Sequence, residues 1–132
     1  MNSISGIIDS VEVCDSLSLV KIKCDKTYFS AIIIESPQTV NYLESGHPIK
    51  VLFKETELII SPAKDLKISI ENSFPCRISD IKKGKLLSRI GLLFNAIELS
   101  SIITSHSLER LNLQIGMEVI ALVKTNEIML AS

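Results

Sequence analysis

The sequence contains one unit twice, and a shift of 70 residues brings the two copies into register without a gap. Gly46 then falls on Gly116, and Lys54 falls on Lys124. Further coincidences run along both copies: Asn2 with Asn72, Ser3 with Ser73, Ile8 with Ile78, Leu17 with Leu87, Ser30 with Ser100, Ile32 with Ile102, Leu43 with Leu113 and Leu52 with Leu122. Because this period exceeds that of most solenoid repeats, we expect two modules, each with its own strands and a small core.

Alternation of apolar and polar residues predicts the strands of each module. Five short strands are expected in the first copy, at residues 8–13, 17–22, 29–33, 49–53 and 57–60. Asp15-Ser16 and Asp25-Lys26 provide the turns between the first three.

A single short helix is expected between the third and fourth strands of each copy. In the first copy, Ser36 supplies an N-cap, Pro37 stands in the first helical position and Gly46 supplies the stop. The second copy is expected to form its helix at residues 107–111. The prediction is an all-β fold of two tandem OB-like five-stranded barrels, each with one short helix.

The repeat divides the chain into a first unit at residues 1–61 and a second at residues 68–132. Residues 62–67 form a short linker that is polar and contains Pro62. Because this linker is too short to be a flexible tether, the two barrels are expected to pack together.

Modules of this size bury only about 60% of the surface that their unfolded chains expose, so each is marginally stable alone. The chain is 46% hydrophobic, and runs of isoleucine at residues 31–34 and 58–60 would be aggregation hazards on an open edge. We therefore expect part of this surface to be buried between modules or subunits.

The composition disfavours nucleic-acid binding. The net charge is −1, there is no Trp, and no aromatic residue recurs at matching positions of the two copies. A single-strand binder would need a basic face and stacking aromatics. No apolar run approaches a membrane span, so a soluble protein without membrane contact is expected.

The remaining reactive side chains indicate neither a metal site nor an enzyme. Cys14, Cys24 and Cys76 are odd in number, lack a C-x-x-C spacing and do not coincide after the shift, which is typical of reduced cytosolic thiols. His47 and His106 do not coincide either, and no catalytic constellation recurs in both copies.

Three segments of the second copy resemble the Mop domain of the molbindins, also called the TOBE domain. They are residues 68–78, residues 101–104 and residues 121–130. Their counterparts in that family are a Ser-x-Arg-Asn lead-in, a Thr-Ser-Ile-Ile strand and a Val-Lys-Ala-Ser/Thr closing strand. The first copy echoes the family at Asn2, residues 31–33 and residues 53–58.

The resemblance implies a cytoplasmic protein that binds molybdate or tungstate between the barrels of a homo-oligomer, with a trimer favoured. Hydroxyls, backbone N–H groups and a cation would meet the oxygens of such a dianion. Six residues are implied as oxyanion-binding: Ser69 and Asn72 from the lead-in, Ser101 from the strand, Lys124 and Thr125 from the closing strand, and Lys54 as the first-copy counterpart of Lys124. The alternative for the serines and Thr125 is a turn residue or a satisfied strand hydroxyl, and for Lys124 a solvated lysine.

The chain departs from the family pattern at two acidic residues. Glu71 stands where the lead-in commonly has Arg, and Glu55 follows Lys54 where Thr125 follows Lys124. The first copy also begins too late to have a counterpart of Ser69. The second copy is therefore expected to supply more of the anion ligands than the first.

Two other functions stay open. The first is an oligomerisation or regulatory module, related to the C-terminal domains of transporters or regulators, that has lost or weakened oxyanion binding. The second, which the composition disfavours, is an OB-type nucleic-acid binder.

Overall fold

A computed structural model describes all residues from Met1 to Ser132 and consists mainly of antiparallel strands. Ten strands, one helix and two 3₁₀ turns follow one another along the chain. Their bounds are β1 Asn2–Cys14, β2 Leu17–Cys24, β3 Thr27–Ile33, β4 Pro48–Phe53, closing turn 1 Glu55–Glu57, β5 Ile59–Ser61, β6 Asn72–Lys83, β7 Leu87–Phe94, β8 Ile97–Thr104, α1 Ser105–Arg110, β9 Glu118–Val123, closing turn 2 Thr125–Glu127 and β10 Met129–Ala131.

The strands form two five-stranded sheets that exchange their last strands. The sheet orders are β10-β4-β1-β2-β3 and β5-β9-β6-β7-β8. Strand β5 follows the first unit in sequence but pairs with β9, while β10 pairs with β4. Each sheet is therefore completed by the other unit. The predicted all-β fold is confirmed; the division into units at residues 61 and 68 and the closure of two OB-like barrels stay predictions.

A single hydrophobic core runs through both units. Alternate residues of β2 and β3 point inward, and the same is true of β7 and β8. Phe29 from the first unit lies with its ring centroid 5.1 Å from that of Phe74 and 6.2 Å from that of Phe94, both in the second unit. The units thus share one aromatic cluster, as the short linker leads one to expect.

The repeat is visible in matching backbone details. The first strand of each unit has a bulge, between Ile8 and Ser10 in β1 and between Ile78 and Asp80 in β6. Gly46 and Gly116 have φ angles of 90° and 94°, and their N–H groups donate to the carbonyls of Ile8 and Ile78 at 2.8 Å. This left-handed conformation favours glycine, which explains why both copies have it there.

The prediction of a helix at residues 36–43 is wrong. Only one turn forms, in which the N–H groups of Thr39 and Val40 donate to the carbonyl of Ser36, and the chain continues through irregular turns. Pro37 and the β-branched Thr39 and Val40 are weak formers of a longer helix, and exposed Gln38 provides no apolar anchor.

The second unit does form its helix, two residues earlier than predicted. The Thr104 side chain caps the helix by accepting from the Ser107 N–H at 3.1 Å, and Leu108 is buried. The first unit has Ile34 and Gln38 at these two positions, so it lacks both the cap and the anchor.

The isoleucine runs are buried only at alternate residues. In the first run Ala31 is fully buried, while Ile32 is 40% and Ile34 is 79% exposed. An apolar outer face on and next to β1–β3 is therefore exposed, and it consists of Val13, Leu17, Leu19, Ile32 and Ile34. No helix of the chain is long and apolar enough to cross a membrane.

Candidate functional site

Two buried asparagines lock the start of each unit to the edge of the other unit's sheet. The Asn72 side chain accepts from the Ser30 N–H at 2.7 Å and donates to the Ser30 carbonyl at 2.9 Å. Asn2 makes the same pair of bonds with Ser100, at 2.8 and 2.9 Å. Each amide thus satisfies backbone groups on the third strand of the other unit, and the role of Asn72 in oxyanion binding stays a prediction.

A pocket of about 410 Å³ lies beside Asn2. Closing turn 1 packs against β8 here and brings Glu55 to Arg89 and Ser100. The Glu55 carboxylate accepts from the Ser100 hydroxyl and from Arg89 Nη2, the latter at 2.7 Å. Arg89 Nη2 also lies 3.4 Å from Ser100 Oγ, so the three side chains form one small network.

This network favours the ionised form of the Glu55 carboxyl. The hydrogen bond from Ser100 is the main cause that lowers the pKa of the Glu55 carboxyl below its usual value, and the Arg89 charge adds to it. A hydroxyl and a guanidinium are the donors that an oxyanion would need, and in this pocket a carboxylate of the chain receives them.

The equivalent place around Asn72 has different side chains. Closing turn 2 packs against β3, and there the shift of 70 residues puts Thr125 in place of Glu55 and Leu19 in place of Arg89. Lys21 replaces Gly91 and pairs directly with Ser30 across β2 and β3. Since directly opposed residues of antiparallel strands project from the same face, Lys21 and Ser30 present a cation and a hydroxyl together.

The two predicted lysines occupy equivalent positions immediately before the closing turns. Lys124 and Lys54 are both exposed, and neither makes an ion pair or a side-chain hydrogen bond within the chain. Thr125 is half-buried at the first position of its turn. Lys124 and Thr125 therefore stand next to the edge that carries Ser30, and their ammonium and hydroxyl groups are available to a ligand.

The two predicted serines lie in contrasting environments. Ser101 is fully buried, and its hydroxyl donates to the Leu58 carbonyl at 2.5 Å. The hydroxyl proton of Ser101 is therefore not available to an oxyanion, and its oxygen can only accept a further hydrogen bond. Ser69 is an exposed bend residue three positions before Asn72. Their roles in oxyanion binding stay predictions, and the hydrogen bond of Ser101 favours the structural alternative.

Lys21, Ser30, Arg89 and Ser100 lie at these two edges, although they are not among the residues that the motifs predict to bind an oxyanion. A signal existed for the two serines, because Ser30 and Ser100 coincide under the shift of 70 residues. Arg89 and Lys21 differ between the copies and could be recognised only from the register of the sheets. No cluster of His, Cys, Asp and Glu is arranged to hold a metal ion.

Comparison with known proteins bears on the family and the fold. Residues 68–130 match the model of the TOBE domain. The fold superimposes on the cytoplasmic molybdate-binding protein ModG, in a form with molybdate bound, with a TM-score of 0.91, 18% identity, and coverage of 98% of this chain and 94% of that chain. A molybdate-binding protein from Sporomusa ovata is 36% identical over 45% of this chain and 88% of its own, with a TM-score of 0.44. No curated protein matches the sequence.

The two sheets with exchanged last strands and the repeated asparagine locks define a tandem all-β protein. Its clusters of polar side chains lie at the edges between the units. The chain belongs to the Mop/TOBE family, as the motifs of the second copy predict.

Proposed function

We propose that this protein binds molybdate, with tungstate as a second ligand of the same charge and shape, at the edge between closing turn 2 and β3. The observation that carries the proposal is the edge at which closing turn 2, preceded by Lys124 and begun by Thr125, packs against β3, where Asn72 binds the backbone of Ser30 and Lys21 pairs with Ser30. Two ammonium groups and two hydroxyls can meet the oxygens of a tetrahedral dianion without any covalent step.

The role is binding and storage in the cytoplasm rather than catalysis. Membership of the Mop/TOBE family and the likeness to ModG support it. Glu71 stands beside Asn72, is exposed, and makes no side-chain hydrogen bond, so it weakens the site electrostatically without filling it.

The protein acts as a homo-oligomer, with a trimer favoured. The apolar outer face of Val13, Leu17, Leu19, Ile32 and Ile34 supports burial against another copy. An oligomer would also exclude water from the exposed Lys124 and strengthen its contribution to an anion site.

Native mass spectrometry with and without molybdate tests the proposal. We expect an oligomer whose mass rises in whole steps of the oxyanion, and single-stranded DNA should add no mass. An oligomer that takes up no molybdate would instead support the module that has lost its ligand, which Glu55 and Glu71 favour. A monomer of 14.6 kDa at micromolar concentration would refute the oligomer.

A further inference from the structure

Glu55 reaches from the closing turn of the first unit into a donor set of the second. Its contacts are the Ser100 hydroxyl and Arg89 Nη2. The side chain of Glu55 is 21% exposed, although it lies in an open pocket. Lys82 also lines this pocket, and so do two further carboxylates, Asp80 and Glu98, at its wall.

Glu55 and Arg89 are both present at this edge, and both are replaced by uncharged residues at the equivalent edge. The unit with Glu55 at its closing turn meets Arg89, whereas the equivalent place combines Thr125 with Leu19. The hydroxyl, by contrast, is present in both places, as Ser100 and Ser30. The guanidinium is thus matched with an anion that the chain itself supplies.

A carboxylate on the same chain competes strongly with any dissolved anion. Because Glu55 is tethered next to Arg89 and Ser100, its effective concentration there is on the order of millimolar or higher. A dissolved oxyanion would have to displace it and would also meet Asp80 and Glu98. The equivalent place around Ser30 holds no such tethered ligand among its hydrogen bonds.

We propose that Glu55 is an internal ligand that occupies a latent oxyanion site formed by Arg89 and Ser100, so that only the equivalent edge beside Asn72 is open to dissolved oxyanions. The identity of the oxyanion rests on the proposed function, but the closure by Glu55 does not. The two halves of the repeat therefore differ, because the Glu55 carboxylate of the chain itself occupies the site of one half.

Replacing Glu55 by the residue of the other half tests this inference. Molybdate is titrated into the full-length protein, with stoichiometry read by calorimetry and native mass. We expect Glu55→Thr to bind one more molybdate per chain than the parent, and Glu55→Thr/Arg89→Leu to lose this extra ion. Glu57→Thr, on the same closing turn, is the matched control and should bind like the parent.

The outcomes separate this inference from the proposed function. If the parent binds molybdate and Glu55→Thr binds no more, the inference is overturned while the proposed function stands. If only Glu55→Thr binds, the inference holds and the proposed open site is wrong. An extra ion that persists without Arg89 also overturns the inference. Should Glu55→Thr fail to fold, Glu55→Ser also removes the carboxylate from the site and must show the same gain.

Discussion

Replacing Asn72 by alanine should destabilise the protein through the loss of one edge lock. The substitution removes both bonds to Ser30 and leaves the N–H and C=O of this β3 residue without partners in the protein. Each unsatisfied buried group costs about 1–3 kcal/mol. Because Ser30 is only half-buried, water recovers part of this loss, and we expect a decrease of about 2–4 kcal/mol in the free energy of unfolding.

Urea unfolding followed by circular dichroism measures this decrease. The repeat provides a matched variant, Asn2→Ala, which removes the equivalent bonds to Ser100 and should lose a similar amount. Asn41→Ala, at an exposed turn without side-chain hydrogen bonds, is the control and should change stability by less than about 0.5 kcal/mol. If Asn72→Ala behaves like Asn41→Ala, the edge lock does not stabilise the fold.

Three further predictions concern the thiols and the acidic neighbour of the site. A thiol reagent should label Cys14 at once and Cys24 and Cys76 only on unfolding, because Cys14 alone is exposed; fast labelling of two or more thiols would contradict the burial. Burial raises the pKa of Cys24 to about 11 and that of Cys76 to about 12, above the value near 8.5 expected in the unfolded chain. The contribution of these neutral thiols to the free energy of unfolding is complete below about pH 8.5 and is lost as the pH rises towards 11. Between pH 8 and 10 the free energy of unfolding should therefore fall less in Cys24→Ala than in the parent. Glu71→Gln should tighten molybdate binding roughly fivefold, since one charge about 8 Å from a dianion in water contributes about 1 kcal/mol; unchanged or weaker binding would place Glu71 away from the ion.

The strands and turns could be predicted from the sequence because they depend on local patterns. Apolar alternation located β2 to β4 to within two residues but missed the first six residues of β1. The recurrence of Gly46 as Gly116 marked the same left-handed position in both copies. The first helix could not be predicted correctly, since Ser36 and Pro37 are local start signals whereas the helix also needs an apolar anchor such as Leu108.

The exchange of closing strands and the network of Glu55 lay beyond the sequence for the same physical reason. Strands β5 and β10 have similar patterns, so either could complete either sheet, and local propensity does not choose between them. Glu55 was recognised as an acidic departure, but its partners Arg89 and Ser100 come from strands that only the three-dimensional register brings close. The hydrogen bond from Ser101 to Leu58 is equally long-range, so it could not be predicted from local patterns either.

Calorimetric titration of molybdate into the parent, Lys124→Ala and Lys54→Ala tests the central claim most directly. Both lysines are exposed and precede equivalent turns, so the two variants make the same chemical change in the two halves of the repeat. A charge-assisted hydrogen bond to the ion contributes about 1.5 kcal/mol, which predicts roughly tenfold weaker binding for Lys124→Ala. Lys54→Ala should bind like the parent, since Glu55 closes its half. A parent that binds no molybdate, or a larger loss for Lys54→Ala than for Lys124→Ala, would contradict the account.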